Sequence, residues 1–371
     1  MKPLLALLLL LCALPSAQAA SPQLDAALVK AVDRGNPAQI RRLVTQGADV
    51  NARNDIGQTV LERAAQYGAY DSVKVLLDLG ANVNSTSNYG GPLVSASEDV
   101  YGNSPVAVCH LLLDRGANPN GHFGEETPLL AALGEAVGAK ANRVYMGSLV
   151  VSTTDHSPTG QRRAEETVKA ETERLRQAFV KGEQDRISKV HTAGLQIVRL
   201  LISKGADVNL TLKDGTSPLM AAARAGSVDA LRLLVDSGAR ADKTSLNAAL
   251  EPAALSGSTP AVQFLLLRGA NPNAGRARRN PAITTAALAD ATESIKLLAN
   301  AGADVNAQGV NGNTALNLVI LGHDVPAVKF LLAHGANPNI PDKDGRTSLY
   351  WAKEMKNVEL TTLLESAGAK K

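Results

Sequence analysis

One short pattern, Gly-Ala-(Asp/Asn)-x-Asn, returns through this chain at a nearly fixed interval. It stands at Gly47, Gly80, Gly116, Gly205, Gly269, Gly302 and Gly335, with a variant, Gly-Ala-Arg-Ala-Asp, at Gly238 and a shortened Gly-Ala-Lys-Lys at Gly368. Successive intervals are 33, 36, 89, 33, 31, 33, 33 and 33 residues. A period of this size means an array of small units, none of which can bury its apolar face alone.

The composition of one unit emerges when the sequence is aligned on those glycines. Four residues before each stands a leucine: Leu43, Leu76, Leu112, Leu201, Leu234, Leu265, Leu298, Leu331 and Leu364. Seven before stand Ile40, Val73, Cys109, Val198, Leu231, Val262, Ile295, Val328 and Thr361. Positions three apart share a helical face, so this pair of columns marks the buried side of a helix. The glycine supplies the positive φ that stops it. Nineteen residues before most glycines lies another apolar column, from Leu28 and Leu61 through Leu219, Leu250, Ile283 and Leu316 to Leu349. Three positions later the residue is small, as in Ala31, Ala64, Ala222, Ala253, Ala286 and Ala352. That is a first helix, often opened by a proline that suits the first turn, as in Thr127-Pro128-Leu129 and Ser217-Pro218-Leu219. Gly35, Gly68, Gly226, Gly257 and Gly322 read as the turn between the two helices. Each unit is expected to run helix, turn, helix, extended hairpin loop.

These units resemble the ankyrin repeat family. The resemblance is carried by "DGTSPLMAAARAGSVDALRLLVDSGA" from Asp214, "NGNTALNLVILGHDVPAVKFLLAHGANPN" from Asn311 and "IGQTVLERAAQYGAYDSVKVLLDLGANVN" from Ile56. It implies an all-α ankyrin-repeat solenoid of about nine units over residues 20–371. The family's Thr-Pro-Leu-His histidine is absent from every unit; Glu62, Leu130, Met220, Asn317 and Tyr350 stand in its place. That removes a helix-to-loop hydrogen bond the family uses.

The repeat is interrupted once. The first helix of the fourth unit is present at Thr127–Gly134 and the second resumes at Gly194–Gly205, which places an insertion at about 135–193 in the turn between them. Unit three is also lengthened between its helices, around Ser97–Pro105, and the two loops are expected to touch. Within the insertion, Gln161 to about Val190 is charged and helical in pattern, with Ala164, Val168, Leu175 and Phe179 along one face. Such a stripe serves either a solvated decoration or a contact with a dedicated partner.

The N-terminus reads as a cleaved secretory signal over residues 1–19. Lys2 is followed by the apolar run Leu4–Leu14 and then by Ala17-Gln18-Ala19. The run is shorter than the ~20 apolar residues a membrane span needs. Leu11 is too large for the residue before a lipidated cysteine at Cys12. Cys109 is then the one cysteine of the mature chain, which forms no internal disulfide. Export from an alanine-rich chain points to the periplasm of a Gram-negative bacterium. A net charge of +3 does not suit a phosphate-neutralising, nucleic-acid-binding surface.

No nucleophile elbow, His-Glu-x-x-His, phosphate loop or dinucleotide fingerprint occurs in the sequence, and the six histidines show no metal-ligand spacing. We therefore expect no enzyme, catalytic residue, metal or cofactor. The family resemblance implies that hairpin tips and the inner faces of the first helices grip a protein partner. On the tips this selects Arg53, Asp55, Ile56, Tyr89, Phe123, Lys213, Arg276, Arg278, Arg279 and Asn311. On the first helices it selects Tyr67, Arg224 and Trp351, aromatic and arginine side chains being the common anchors of interfaces. A protein that is monomeric alone is expected, acting as scaffold or stabilising partner of a periplasmic enzyme, or as an inhibitor or immunity protein against a toxic secreted one.

Overall fold

The computed structural model describes residues 21–98, 104–121, 126–136, 188–274 and 280–370. Within them the chain is all-α. The helices come in pairs: α1 (Pro22–Asp33) and α2 (Pro37–Thr45), α3 (Val60–Gln66) and α4 (Tyr70–Asp78), α5 (Pro92–Glu98) and α6 (Pro105–Asp114). In the fourth repeat α7 (Pro128–Ala131) runs on into a π turn, Ala132–Ala136, and α8 covers 188–203. Then follow α9 (Pro218–Arg224) and α10 (Val228–Asp236), α11 (Lys243–Leu255) and α12 (Thr259–Leu267), α13 (Ala282–Leu288) and α14 (Thr292–Asn300). The series ends with α15 (Ala315–Leu321) and α16 (Val325–Ala333), α17 (Ser348–Glu354) and α18 (Val358–Ser366). Two compact units result. One comprises the chain to Ala131 with Leu200–Ala206, the other Ala132–Arg199 with Asp207–Lys371.

The helices begin where their caps are. Thr59, Ser217, Thr314 and Thr347 each accept the backbone N–H three residues on, at the head of a first helix. Asn36, Ser227, Ser258, Asp324 and Asn357 do the same for second helices. These side chains satisfy N–H groups that a helix cannot pair internally. The core is built from the predicted columns. Every leucine four residues before the glycine marker is buried, and so is the residue seven before it, as far as Val328. Thr361 is half-buried, which fits the last helix pair facing solvent on its outer side.

The marker pentapeptide proves to be the joint between repeats. Its glycine has positive φ in each unit, for example 91° at Gly238 and 90° at Gly302. The third residue accepts its own unit's backbone: Asp304 Oδ1 takes the N–H of Asn306 at 2.9 Å, and Asn337 Oδ1 that of Asn339 at 3.0 Å. This turn aims the fifth residue, an asparagine, at the next repeat. Asn306 Nδ2 donates to Gly335 O at 3.0 Å while its Oδ1 accepts from Asn337 N at 2.7 Å. The same pair of bonds links Asn84 to Gly116 O and Asn118 N, Asn209 to Gly238 O and Arg240 N, Asn273 to Gly302 O and Asp304 N, and Asn339 to Gly368 O and Lys370 N. The third position needs only an acceptor, so Asp and Asn interchange there. The fifth needs a donor and an acceptor at once, which an amide provides and a carboxylate does not.

Two departures from the expected unit have clear causes. After Gly238 there is no hairpin. Asp242 occupies the bridging position but caps α11 instead, accepting Ser245 N at 2.8 Å; most of the residues that form the hairpin elsewhere lengthen α11 to 13 residues, and the interval is two residues short of 33. Asn247 takes over the acceptor role toward Asn271 N at 2.7 Å. Elsewhere the hairpins are short, with single antiparallel bridges at Arg53–Thr59 and Ser87–Gly90. The second departure is in the turn of the eighth repeat, which holds Gly322 as expected but takes its positive φ at the next residue. Gly322 lies at φ −79°, and the left-handed residue is His323 at 59°. A Cβ at Gly322 would lie 2.9 Å from Asp290 Oδ1 of the preceding repeat, an exposed carboxylate end that can swing aside, so glycine is favoured there but not required. The segment expected to be a signal peptide, residues 99–103 of the Ser97–Pro105 loop, and most of the 135–193 insertion lie outside the described residues.

Leu234 is fully buried in the middle of the second unit. Leu234→Ala is expected to cost roughly 2–5 kcal/mol in urea unfolding. Asn306→Ala removes two inter-repeat bonds and should cost about 1–2 kcal/mol, with Asn306→Asp also below wild type because the donor to Gly335 O is lost. An unchanged unfolding midpoint for Asn306→Ala would reject the bridge as a joint.

Candidate functional site

In the first compact unit the hairpin tips are held by hydrogen bonds with the side chains of Arg53, Asn54 and Ser87. Asn54 Oδ1 accepts the N–H groups of Ile56 and Gln58, closing the tip around Gly57. Arg53 donates to Gly57 O at 2.6 Å and to Thr86 O of the next hairpin at 2.9 Å. Arg53 therefore clamps two tips together, and what projects beyond it is Asp55 and Ile56, both exposed. Tyr89 projects from the following tip, its N–H held by Ser87 Oγ at 3.0 Å. Tyr67 closes the end of α3, its ring 4.6 Å from the Arg63 guanidinium, which is itself held by Asp33 at 3.0 Å. Ile56, Tyr67 and Tyr89 are large apolar side chains left exposed on rigid supports.

Beneath these tips lies a buried acid. Glu62, one of the residues standing where the family has histidine, is fully buried in α3. Its Oε1 accepts from Ser87 Oγ at 2.7 Å, which restores a helix-to-hairpin bond in another chemical form. Its Oε2 has no hydrogen-bond partner. Burial raises the Glu62 pKa; the bonds from Ser87 and the Thr59 backbone, the Arg53 charge and Ser95 oppose this without cancelling it. Asn317, another replacement, forms a capping box with Thr314, and Thr284, which follows Ile283 and so stands at the same position of its unit, donates from Oγ1 to Ala307 O at 3.2 Å.

In the second unit the tips are tied to one another. Val310 N donates to Asn280 Oδ1 at 2.9 Å, and Asn311 O accepts from Lys343 N at 3.1 Å. A Cβ on Gly312 would sit 2.7 Å from Lys343 N, so glycine lets these tips close. Val310 and Asn311 are thus tied to neighbouring tips through their backbones while both remain exposed, as Lys213 does. Trp351 is half-buried, its ring 4.5 Å from the Arg346 guanidinium and edge-on to Tyr350, with Nε1 buried and unpaired. Arg346 is held in turn by Asp342 and Asp344. Tyr350 is the more exposed of the two aromatics. Arg224 ends α9 and is exposed. Phe123, Arg276, Arg278 and Arg279 lie outside the described residues.

One feature of the second unit was only partly among the sequence candidates. Leu255, Leu288 and Leu321 are the last residues of α11, α13 and α15, and all three are exposed. The sequence selects Leu321 as a first-helix surface position but not Leu255 or Leu288, since a leucine ending an amphipathic helix reads as core.

The reactive groups are quiet. Cys109 is fully buried, and burial pushes its thiol up to about 12, far from a reactive thiolate. Asp114 accepts from Lys204 Nζ at 2.8 Å and lies 3.0 Å from His110 Nδ1, contacts that lower its pKa on an open surface. Among the described residues no group of three or more His, Cys, Asp or Glu side chains is placed to hold a metal. No helix among them is long and apolar enough to cross a membrane.

The family model for ankyrin repeats matches residues 4–87, 189–276 and 283–371. The chain belongs to the ankyrin repeat family, and with its paired helices it is an all-α repeat solenoid. Stretches of it are similar to several curated proteins. It is 38% identical over 55 residues to an ankyrin repeat protein of Acanthamoeba polyphaga mimivirus, covering 15% of this chain and 34% of that one. It is 38% identical over 74 residues to the human mitochondrial disaggregase, covering 20% and 10%. It is 39% identical over 67 residues to the mouse 2-5A-dependent ribonuclease, covering 18% and 9%. The chain thus spans from about a tenth to about a third of the length of these relatives, and what they share is the repeat. Ankyrin repeats are in general modules for protein–protein interaction rather than catalysis.

The raised pKa of Glu62 sets a pH dependence. The folded protein holds this proton above the ordinary carboxyl value of 4.5, so stability falls as pH rises from there through the folded pKa and stays lower beyond it. Glu62→Gln keeps an acceptor for Ser87 and removes the buried charge. It is expected to melt above wild type at pH 7 and to lose that advantage near pH 4, read as the difference between the two proteins in parallel thermal scans.

Proposed function

We propose that this chain is a non-catalytic binding module of the periplasm, exported by residues 1–19, which holds a partner protein through hairpin tips and first-helix ends. The observation that carries the reading is the set of exposed apolar side chains on braced supports, Ile56, Tyr67 and Tyr89. A rigid tip loses little conformational freedom on binding, so its apolar area is available for affinity. Membership of the ankyrin repeat family supports the binding role. The role we favour is that of scaffold or stabilising partner for a periplasmic enzyme.

The test has two arms. Osmotic-shock fractionation should release the protein with an N-terminus at or beside Ala20. Chemical cross-linking in intact cells should join the wild-type chain to a discrete partner, with the yield reduced at least about tenfold by Ile56→Asp combined with Tyr89→Asp, at an unchanged melting temperature. Equal cross-linking by the double variant would reject the tips as the binding surface. A partner enzyme whose activity falls on binding would replace the scaffold role with that of an inhibitor.

A further inference from the structure

The first helices of the second unit pack in sequence order, α9 against α11, α11 against α13, α13 against α15 and α15 against α17. Their last residues therefore form a row. In order they are Arg224, Leu255, Leu288, Leu321 and Glu354. The three leucines are 33 residues apart and stand 50%, 51% and 39% exposed. The flanking Arg224 and Glu354 are exposed as well. Three large apolar side chains at one structural position in three consecutive repeats make a continuous stripe, which is a different matter from scattered surface leucines.

The array does not need them there. Each repeat already buries its own core columns, and the equivalent position in α9 and α17 carries a charge without disturbing the packing of those helices. The stripe has a pitch and a polarity. Neighbouring packed helices lie about 8–10 Å apart. An α-helix rises about 10.5 Å in seven residues. A helix laid along the row therefore presents one side chain per heptad to each leucine. Its two ends meet opposite charges, Arg224 at one and Glu354 at the other. A helix with acidic residues in its first turn and basic residues in its last complements both, and the same arrangement favours its own dipole.

We infer that the row Leu255, Leu288 and Leu321 is the docking stripe for an amphipathic helix of a partner protein, with apolar residues at heptad spacing, its acidic N-terminal end over Arg224 and its basic C-terminal end over Glu354. This rests on the interaction-module reading and adds to it the shape, pitch and charge order of what is bound. It concerns the first-helix ends of the second unit, whereas the cross-linking variants alter the Ile56 and Tyr89 tips, so the two tests can fail separately.

The experiment uses the full chain and a synthetic peptide about three heptads long, with leucine at each seventh position, Glu in the first turn and Lys in the last. Binding is read by fluorescence anisotropy of the labelled peptide. The wild-type chain should bind it at least about tenfold more tightly than it binds a peptide with the same composition and leucines at irregular spacing. Exchanging the Glu and Lys ends should weaken binding several-fold. Leu288→Asp should abolish the preference, with a melting temperature within a degree or so of wild type because the side chain is at the surface. Equal binding of regular and irregular peptides, or full binding by Leu288→Asp, would overturn the inference even if the tip variants still lose their cross-linked partner. Two other occupants are distinguishable. Concentration-dependent dimerisation lost in Leu288→Asp would assign the stripe to a second copy of this chain. Peptide binding that rises about tenfold when residues 138–188 are replaced by a short linker would assign it to the chain's own insertion. Either result would overturn the partner assignment.

Discussion

The joint between repeats depends on one primary amide used in both directions. A helix end leaves backbone carbonyls without partners, and the helix-ending glycine of each marker is in that position. The asparagine of the previous repeat meets its carbonyl with Nδ2 and takes the N–H two residues on with Oδ1, as Asn273 does with Gly302 and Asp304. Both halves are required for this, which is why the fifth marker position holds asparagine wherever a bridge is made. The glycine is required too, since the chain must leave the helix with positive φ to present both groups to one side chain. Where asparagine is absent the local geometry changes. Asp242 cannot donate, the hairpin is missing, α11 begins at once, and an asparagine from inside that helix, Asn247, supplies the remaining bond. At the start of the chain Asp25 offers only the acceptor, to Asp49 N at 2.8 Å.

Much of this fold could be read from the sequence because it is written many times. A buried leucine is ambiguous once; repeated four residues before every marker glycine, it is a column, and the column is buried throughout. What could not be read was what each residue touches. The asparagine was visible as a marker, but its partners lie roughly a repeat away in sequence, and nothing local tells a bridge from a turn. Gly322 marks the turn of the eighth repeat in the sequence, but it does not carry the positive φ. The fixed offset from Gly335 falls on His323 instead, and a histidine occupies the left-handed region at some cost. Arg53 was read as a binding residue on the strength of its type and place, yet both of its identified bonds go to backbone carbonyls of the fold. Side-chain type suggested the surface, and only the hydrogen bonds showed how much of it is already spent.

The replaced histidine shows the same limit from the other side. Its absence suggested looser hairpins. The structure shows that Glu62, Thr284 and Asn317 each make a polar contact of their own from that position, while Met220 and Leu130 are simply buried. These solutions are not equivalent. Met220 and Leu130 bury apolar surface with no polar atom to satisfy. Glu62 buries a carboxyl with one oxygen unpaired, and an unpaired buried polar atom carries the full cost of leaving water. A position that holds methionine in one repeat, an acid in another and threonine in a third is settled by its local neighbours rather than by one shared requirement.

Stability and the proposed docking row therefore fall on different positions of the same unit. The columns, the caps and the asparagine joint fix how each repeat sits on its neighbour, and they recur because each repeat solves the same packing problem. The last residue of the first helix takes part in none of these. It is arginine in α9, leucine in α11, α13 and α15, and glutamate in α17, with no change in the packing order of those helices. A position free of structural duty, repeated at the pitch of the helix stacking, is a set of evenly spaced sites whose chemistry can vary one repeat at a time. In the second unit that variation is ordered: charge, three leucines, opposite charge. The packing of the fold does not account for that order, whereas a long amphipathic ligand lying across successive repeats would.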